Sequence, residues 1–406
     1  MKRQQLFSSW LPALSLFLVG VAASADDLPE PRFEVRKIDD ISIGYGVAIG
    51  DVDGDGKQDI LLADKKQFVW YRNPDWKKFL MVENLTQRDN VCIAARDIDG
   101  DGKVEVAVGA QWNPGNTSDP EQSGSVHYLV RPNDPTKKWT PIRLHNEPTV
   151  HRMRWVRGES GYRLVVVPLH GRGNKGGQGD GVKILAYDMP RDPKDEWKTT
   201  VLDETLHVTH NFDVLHRGDR ADIVVFAGRE GIVGMNGSGE NVRRKKPEGM
   251  KNGAGEVRMA RMTSGGPFLI STIEPFHGSD LVVYAVGEGG PDAEWKRTVL
   301  DTTFNNGHAI AFADFLGIGR PQVVAGWRFP SKEKKEVGVK LYVPTDSSGT
   351  KWTTHDIDVK GAGDKSGMAC EDLRAADLDG DGWPEIVAVG RATKNVKIYW
   401  NKTGAR

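Results

Sequence analysis

The stretch GYGVAIGDVDGDGKQDILLA, residues 44–63, joins two short apolar segments through an acidic, glycine-rich turn. The segments GVAIG and DILLA have the length and composition of β-strands. Similar pairs of segments recur along the chain at intervals of roughly 50 residues. Seven units align in this way, and the residues that lead them are, in chain order, Tyr45, Val91, His151, His210, Glu256, His308 and Glu371.

Seven strand-rich units at this spacing predict an all-β fold, a seven-bladed β-propeller with four strands in each blade. Tryptophan marks the outer strand of four units, as in WKRTVLD from Trp295 and WTTHDID from Trp352; the fourth unit lacks it. The seventh unit ends after its third strand, whereas FEVRKID from Phe33 has the spacing of the missing outer strand. We therefore expect the N-terminal strand to close the ring and to remove the exposed edges of an open array.

The N-terminus has the pattern of an export signal. Lys2 and Arg3 precede the apolar run LPALSLFLVGVAA, and the small residues Ala23–Ala25 provide a cleavage site. The run is too short for a confident membrane span. We expect a signal peptide at residues 1–25, a single propeller domain at residues 26–406, and a periplasmic or extracellular location.

The composition limits the classes of partner. The net charge is −1, so no overall field attracts nucleic acid or an anionic membrane, and we expect neither partner. The two cysteines, Cys92 and Cys370, fall near the heads of inner strands in units that are not neighbours. We expect buried free thiols at both positions rather than a disulfide.

Three units carry the loops DVDGDGKQD (51–59), DIDGDGKVE (97–105) and DLDGDGWPE (377–385) between their first two strands. Oxygen ligands at positions 1, 3, 5 and 9 of such a loop, with the backbone carbonyl of position 7, suit one calcium ion. The loops lack the twelfth-position glutamate of an EF-hand. The predicted calcium ligands are Asp51, Asp53, Asp55, Lys57 and Asp59 in the first loop, Asp97, Asp99, Asp101, Lys103 and Glu105 in the second, and Asp377, Asp379, Asp381, Trp383 and Glu385 in the third.

These loops resemble those of the FG-GAP/VCBS propeller family, in which they stand between the first two strands of a blade. The resemblance extends over all seven units, although only three keep the acidic loop. It implies up to three structural calcium ions, and the fold alone implies no chemistry.

A second cluster is predicted at the opposite end of the channel. In a propeller the first strand of each blade lines the channel, so the leading residues surround one mouth and the calcium loops lie at the other. Three imidazoles and a carboxylate from neighbouring blades suit a zinc-like ion with an open coordination position. The candidate ligands are His151, His210, Glu256 and His308.

The turns between second and third strands reach the same face and supply further candidates. His277 in EPFHGSD and His170 in PLHGRGN are candidate bases, because an imidazole titrates near neutral pH. The spacing does not distinguish base from ligand among these histidines. The candidate substrate-binding residues on these turns are Arg229, Trp327, Arg328 and Trp112.

The segments EPTVHRMRW, PLHGRGN, VTHNFDV, EPFHGSD and GHAIAFAD resemble the propeller domain of the aldos-2-ulose dehydratase family. The resemblance implies elimination of water from a keto-sugar such as 1,5-anhydrofructose or a 3-keto-glycoside, with a catalytic metal in the propeller acting as a Lewis acid. The fungal enzyme also has cupin domains, which have no counterpart in this sequence, so the resemblance does not extend to an isomerase step assigned to the cupins.

A function of another class fits the same fold. A calcium-stabilised adhesion or carbohydrate-binding propeller predicts surface patches for a glycan and no tightly held transition metal. The histidines at one channel mouth favour the enzyme over this binding module, and also over a quinone-dependent oxidoreductase, for which the sequence has no motif.

Overall fold

The computed structural model describes residues 28–263, 266–287, 290–361 and 363–404. The expected signal peptide, residues 1–25, lies outside the described residues. The described chain forms seven four-stranded antiparallel sheets arranged as a seven-bladed propeller, which confirms the all-β prediction. The described chain also contains a short 3-10 helix at Gly290–Asp292. No helix in the described part is long and apolar enough to cross a membrane.

Each blade consists of an inner, a second, a third and an outer strand. The inner strands are β2 (Gly46–Gly50), β6 (Cys92–Arg96), β10 (Val150–Gly158), β14 (Thr209–Arg217), β18 (Val257–Arg261), β22 (Gly307–Ala313) and β26 (Cys370–Ala376). The second strands are β3 (Asp59–Ala63), β7 (Glu105–Ala110), β11 (Gly161–Pro168), β15 (Arg220–Gly228), β19 (Phe268–Glu274), β23 (Gln322–Trp327) and β27 (Glu385–Gly390). The third strands are β4 (Gln67–Arg72), β8 (Ser125–Val130), β12 (Ile184–Asp188), β16 (Gly231–Asn236), β20 (Asp280–Val286), β24 (Glu336–Pro344) and β28 (Asn395–Asn401). The outer strands are β5 (Lys77–Glu83), β9 (Thr140–Leu144), β13 (Lys198–Asp203), β17 (Arg243–Lys245), β21 (Trp295–Asp301), β25 (Trp352–Gly361) and β1 (Phe33–Asp40).

The N-terminal strand closes the ring, as predicted. Strand β1 pairs antiparallel with β28, from Phe33 opposite Asn401 to Asp40 opposite Asn395. The pairing continues beyond the strands, since the Lys402 amide donates to the Arg32 carbonyl at 2.8 Å. The outer edge of blade 7 is therefore built from the two ends of the chain.

The hydrophobic core lies between blades rather than inside one of them. Seven apolar clusters each combine residues of two adjacent blades. The cluster between the first and last blades contains Val47 of blade 1 and Val387 of blade 7. Cys92 and Cys370 are buried free thiols in two different clusters, as expected, and burial raises the pKa of Cys92 to about 12. A thiol with so high a pKa is unreactive at neutral pH.

Blade 4, whose unit lacks the marker tryptophan, has the shortest outer strand. Strand β17 of blade 4 has three residues, Arg243–Lys245, and the two arginines are exposed. The other outer strands have five to ten residues. Without a large apolar side chain to anchor it on its neighbour, the outer strand of blade 4 is short and solvated.

Four inner strands have an irregular register at their first residues. The pairing with the second strand shifts between Val150 and Arg152, between Thr209 and Phe212, between Gly307 and Ala309, and between Cys370 and Asp372. The residues at these shifts are His151, His210 with Asn211, His308 and Glu371. A β-bulge redirects the extra residue out of the ladder, and here it frees the leading side chains of blades 3, 4, 6 and 7. Blades 1 and 2 pair without such a shift.

Candidate metal centre at the channel mouth

Three histidines converge where the inner strands begin. Ligand nitrogens of His210, His277 and His308 all lie within 4.8 Å of one another. The ring centroids of His210 and His277 are 4.2 Å apart, and those of His210 and His308 are 4.7 Å apart. The His277 ring stacks on His308 at 4.9 Å. Blades 4, 5 and 6 therefore each contribute one imidazole to a single cluster, named here the three-histidine cluster.

His277 reaches this cluster from a turn rather than from an inner strand. The turn joins β19 to β20, and Phe276 within it has a positive φ of 51°. It packs directly onto Gly255, where an added Cβ atom would lie 2.7 Å from the Phe276 carbonyl oxygen. Glycine at position 255 thus permits the close approach that brings His277 down to the leading residues.

Hydrogen bonds set the ring orientation of the cluster. His308 Nδ1 lies 2.5 Å from the carbonyl oxygen of Glu371, so Nδ1–H donates and Nε2 is the free acceptor. His210 Nδ1 is 2.9 Å from Glu256 Oε1, although not aligned as a hydrogen bond. Nε2 of both His210 and His277 is buried with no hydrogen-bond partner in the described structure. Buried polar atoms are seldom left unpaired, and an ion bound between the rings would supply the partner that these nitrogens lack.

The imidazoles of the cluster are held in the neutral form. Burial lowers the pKa of His277 to about 2 and keeps the pKa values of His210 and His308 well below 6.5. The positive charges of Arg152 and Arg328 act in the same direction. A neutral imidazole is the form that binds a metal.

His151 and Glu256, two predicted ligands, lie beside the three-histidine cluster rather than in it. The His151 ring is 4.4 Å from that of His210 and stacks on Trp112 at 4.8 Å. Both of its nitrogens are buried without a partner in the described chain, and burial keeps its pKa well below 6.5. Glu256 is held by Asn211, whose amide donates to both carboxylate oxygens. Glu256 is therefore placed to orient His210.

A carboxylate from blade 7 completes the surroundings. Glu371 Oε1 lies 3.9 Å from His308 Nε2. The same carboxylate accepts hydrogen bonds at 3.2 Å from Arg328, a predicted substrate-binding residue, and from Arg391. Arg391 in turn lies over the Tyr45 ring, 5.2 Å from its centroid. Polar contacts therefore continue from His308 through Glu371 of blade 7 to Tyr45 of blade 1. These side chains, with Arg328 and Arg391, form the polar rim of the site.

The remaining predicted residues divide between rim and core. His170 is half-buried, and its backbone bridges to Val208 just before β14. Arg229 is exposed and donates to the Gly176 carbonyl. Trp327 is 2% exposed, stacks on Phe304 at 4.8 Å and donates to the Glu336 carbonyl. Its ring faces are occupied by the core between blades, so Trp327 offers no surface to a sugar.

The three acidic loops connect inner to second strands at the other end of the channel, where the sequence predicts them. The first carboxylate of each loop accepts hydrogen bonds from the amides of positions 4 and 6; in the first loop Asp51 accepts from Gly54 at 2.7 Å and from Gly56 at 2.8 Å. Both glycines have positive φ, 82° and 86°, which a side chain would oppose. The oxygens brought within 4.8 Å of one another come from Asp51, Asp53 and Asp59, from Asp97, Asp99 and Asp101, and from Asp377, Asp379 and Glu385.

The ninth-position carboxylates hold the start of each loop by accepting a hydrogen bond from its backbone. Asp59, Glu105 and Glu385 accept the amides of Val52, Ile98 and Leu378, the second residue of each loop, at 2.8–3.0 Å. Burial raises the pKa of all three carboxyl groups to about 7. A cation bound beside these carboxylates would favour their ionised form and offset this cost of burial.

The sixth unit, DFLGIGRPQ at 314–322, shows how a blade keeps the turn without the acids. Asp314 still accepts the amides of Ile318 and Gly319. Gln322 stands at the ninth position, and its amide side chain accepts from Leu316 and donates to Asp314. A neutral amide therefore takes the place of the ninth-position carboxylate in the blade that contributes His308 to the other mouth.

Comparison with known proteins agrees with this division of the ring. Residues 51–108 match the model of the FG-GAP-like repeat, and residues 123–286 match that of the aldos-2-ulose dehydratase β-propeller domain. The aldos-2-ulose dehydratase of Phanerodontia chrysosporium is 24% identical in an alignment of 294 residues that covers 66% of this chain and 33% of that protein. This chain resembles the aldos-2-ulose dehydratase propeller. It spans about a third of the length of that relative.

The two matches fall on different parts of the dehydratase-like propeller. The FG-GAP-like match contains the acidic loops of blades 1 and 2, and the dehydratase match contains His151, His210 and His277. A chain of the mitotic checkpoint complex aligns with a TM-score of 0.56 at 13% identity, covering 98% of each chain. Kuenenia stuttgartiensis hydrazine synthase aligns at 0.50 and 10% identity, covering 94% of this chain and 98% of that one. These two likenesses concern the fold alone.

Removal of calcium is expected to destabilise the dehydratase-like propeller. An ion that binds only the folded state adds about 2.7 kcal/mol when present at a hundredfold excess over its Kd. Chelation should therefore lower the melting temperature, and Asp53→Ala or Asp379→Ala should reproduce part of the loss. Scanning calorimetry before and after chelation, with calcium added back, measures the effect; an unchanged melting temperature would rule out structural calcium.

The stabilisation by calcium is expected to increase with pH. Asp59, Glu105 and Glu385 have folded-state pKa values of about 7, above the unfolded values near 4. Between these values the metal-free folded state retains protons that the unfolded chain has released, so its free energy of unfolding falls as pH rises. Calcium displaces those protons, and the rise in melting temperature on adding calcium should be larger at pH 8 than at pH 5. The buried histidines titrate equally in both samples; an equal or smaller rise at pH 8 would contradict the loop assignment.

Proposed function

We propose that this protein is a metal-dependent carbon–oxygen lyase that removes water from a keto-sugar, such as 1,5-anhydrofructose or a 3-keto-glycoside. The observation that carries the proposal is the convergence of three neutral imidazoles at one channel mouth. The resemblance to the aldos-2-ulose dehydratase propeller supports the reaction class. The proposal includes export from the cytoplasm and up to three structural calcium ions.

The three-histidine cluster fits a divalent metal. Two nitrogens bound to one zinc ion in tetrahedral geometry lie about 3.4 Å apart, so nitrogens that are 4.8 Å or less apart here would move closer by up to about 1.4 Å on binding. His308 presents Nε2 because its Nδ1–H is bound to Glu371, and Glu256 lies where it can orient His210. A divalent ion here would supply Lewis-acid stabilisation of the carbonyl oxygen of a keto-sugar.

The protein groups around the cluster suit proton transfer. The elimination breaks a C–H bond next to the carbonyl and a C–O bond one carbon further on, and the proton and the hydroxyl group leave as water. His151 is neutral, has no partner on either nitrogen in the described chain, and lies 4.4 Å in ring centroids from His210. It is placed to accept the carbon-bound proton, and His170 is the second candidate of this kind. His277, a candidate base in the sequence, is assigned to the metal instead.

The rim would bind and orient the sugar. Trp112 stacks on His151 and is partly exposed, so its free face can cover the apolar face of a pyranose. Arg328 is fixed by Glu371 and Asn306, so its remaining donors point in a defined direction toward substrate hydroxyl groups. The burial of the cluster restricts water around the reacting atoms.

The activity is tested directly with substrate. The metal-loaded protein should convert 1,5-anhydrofructose or a 3-keto-glucoside to an unsaturated ketone, followed by its ultraviolet absorbance. 1,5-Anhydroglucitol, which lacks the carbonyl, should give no product. Elemental analysis of the same sample should find about one transition-metal ion per chain in addition to calcium. Calcium alone, with no product from either keto-sugar, would favour a binding propeller and contradict the proposal.

A further inference from the structure

A cavity lies at the end of the channel opposite the three-histidine cluster. It has a volume of about 580 Å³, within the range of small-molecule sites. It is lined by the later residues of the inner strands, among them Arg96, Arg154 and Arg374, and by the first two calcium loops. Arg154 follows His151 by three residues, which places it about 10 Å further along the strand. The cavity is therefore separate from the candidate metal centre.

Arg154 forms no close ion pair in the described part of the chain. Its Nε donates to the Phe212 carbonyl at 3.0 Å, and no carboxylate of the described residues lies within 4.0 Å of its guanidinium. Desolvation, followed by repulsion from Arg374 and Arg258, lowers its pKa to about 9, although the carboxylates of Asp213 and Asp372 act in the opposite direction. Arg154 is partly exposed to the cavity, so an incoming anion can reach its guanidinium and favour its charged form.

The neighbouring cations are held in place around Arg154. Arg374 donates to Asp372 Oδ1 at 2.7 Å, which fixes the direction of its remaining donors. Arg96 contacts His216 Nε2 at 2.5 Å and donates to the Tyr162 hydroxyl at 3.1 Å. Arginines from blades 2, 3 and 7 thus line the cavity, each with at least one hydrogen bond that orients its guanidinium.

The acidic residues of the cavity wall are committed elsewhere. Asp51 and Asp97 turn both carboxylate oxygens toward the amides of their own loops. Asp213, which does not line the cavity, accepts the Met259 amide at 2.9 Å. The arginines are the cationic donors that can meet a ligand in this cavity.

We propose that this lower cavity binds a small oxyanion, up to the size of a sugar acid, through Arg154 with Arg374 and Arg96. Charge-assisted hydrogen bonds from guanidinium groups to a carboxylate or sulfate-like group carry the recognition. This site is independent of the proposed lyase activity, since it shares no side chain with the three-histidine cluster.

Titration calorimetry of the calcium-loaded protein with sulfate and with D-glucuronate, at constant ionic strength, tests the proposal. At least one of the two should bind saturably with a Kd of about 1 mM or tighter. Tighter binding of D-glucuronate identifies a sugar-acid site, and tighter binding of sulfate an inorganic oxyanion site. Arg154→Met should weaken binding at least about tenfold, because it removes the unpaired guanidinium.

Matched variants separate this site from other sources of anion binding. Arg143→Met removes an exposed arginine of β9 that pairs with Glu121, and should bind as the wild type does. His308→Ala removes the upper site and should also retain binding. Should Arg154→Met fold poorly, Arg96→Gln provides the second test, with a weaker loss. Absence of binding by the wild type, or equal binding by wild type, Arg154→Met and Arg96→Gln, would overturn the proposal.

Discussion

His308→Ala is expected to abolish both the transition metal and the lyase activity. His308 is the member of the three-histidine cluster whose free nitrogen is fixed by a hydrogen bond to the Glu371 carbonyl. Loss of a residue that merely orients a ligand costs roughly 10–100-fold in metal affinity, and loss of a ligand should cost more. Elemental analysis should find the transition-metal content near zero with calcium unchanged, and the enone assay should show no turnover.

Two further variants make this result specific. Glu256→Gln keeps the shape of the side chain beside His210 but removes its charge, so we expect an intermediate loss of metal affinity. His145→Ala removes an exposed histidine outside the cluster and should behave as the wild type. Circular dichroism should show that all three variants fold. A His308→Ala protein that keeps its metal and full activity would refute the candidate metal centre.

Deletion of residues 26–40 is expected to open the ring and to cause aggregation. The deletion removes β1, whose ladder with β28 includes seven residue pairs. At about 1 kcal/mol for each lost backbone hydrogen bond, the cost is roughly 5 kcal/mol, comparable with the whole stability of many domains. The third strand β28 then becomes an exposed edge that can pair with another chain. We expect a fall of roughly 10 °C or more in melting temperature, measured by calorimetry, and oligomers in size-exclusion chromatography.

A substitution on the same strand provides the control. Val35 is 44% exposed on the outer face of β1, so Val35→Thr keeps the ladder and should change the melting temperature little. A truncated protein that stays monomeric with an unchanged melting temperature would show that β1 does not close the ring in solution.

The architecture was predictable from the sequence because it depends on short-range patterns. Strand–turn–strand units repeat, and each unit is shaped by local composition, which is why the seven blades and the closing strand at Phe33–Asp40 were recognised. The ring then follows, since a single blade cannot bury its own faces. The same locality placed the acidic loops between the first two strands, with Asp51 and Asp377 at their first positions.

The composition of the candidate site was predicted less well, because it depends on where individual side chains point. Sequence alignment placed His151, His210 and His308 at equivalent positions, yet the ligand nitrogens that meet are those of His210, His277 and His308. The difference comes from a turn seated on Gly255, a contact that strand alignment does not contain. The β-bulges at the leading residues were missed for the same reason. The arginines of the lower cavity carried a signal that was not used, since Arg154 and Arg374 each stand three residues after the leading residue of their unit.

The seam between β1 and β28 also determines when this fold can be completed. In a growing or translocating chain, the strand Phe33–Asp40 emerges first and its partner Asn395–Asn401 emerges last. Blades 1 to 6 each find their four strands in consecutive sequence and can pair as they appear, whereas blade 7 must wait for both ends. A contact between such distant segments forms slowly, because the chain must first close a loop of nearly its full length. Ring closure is therefore the final step of assembly, and until that moment the apolar faces of blades 1 and 6 have no neighbour to cover them.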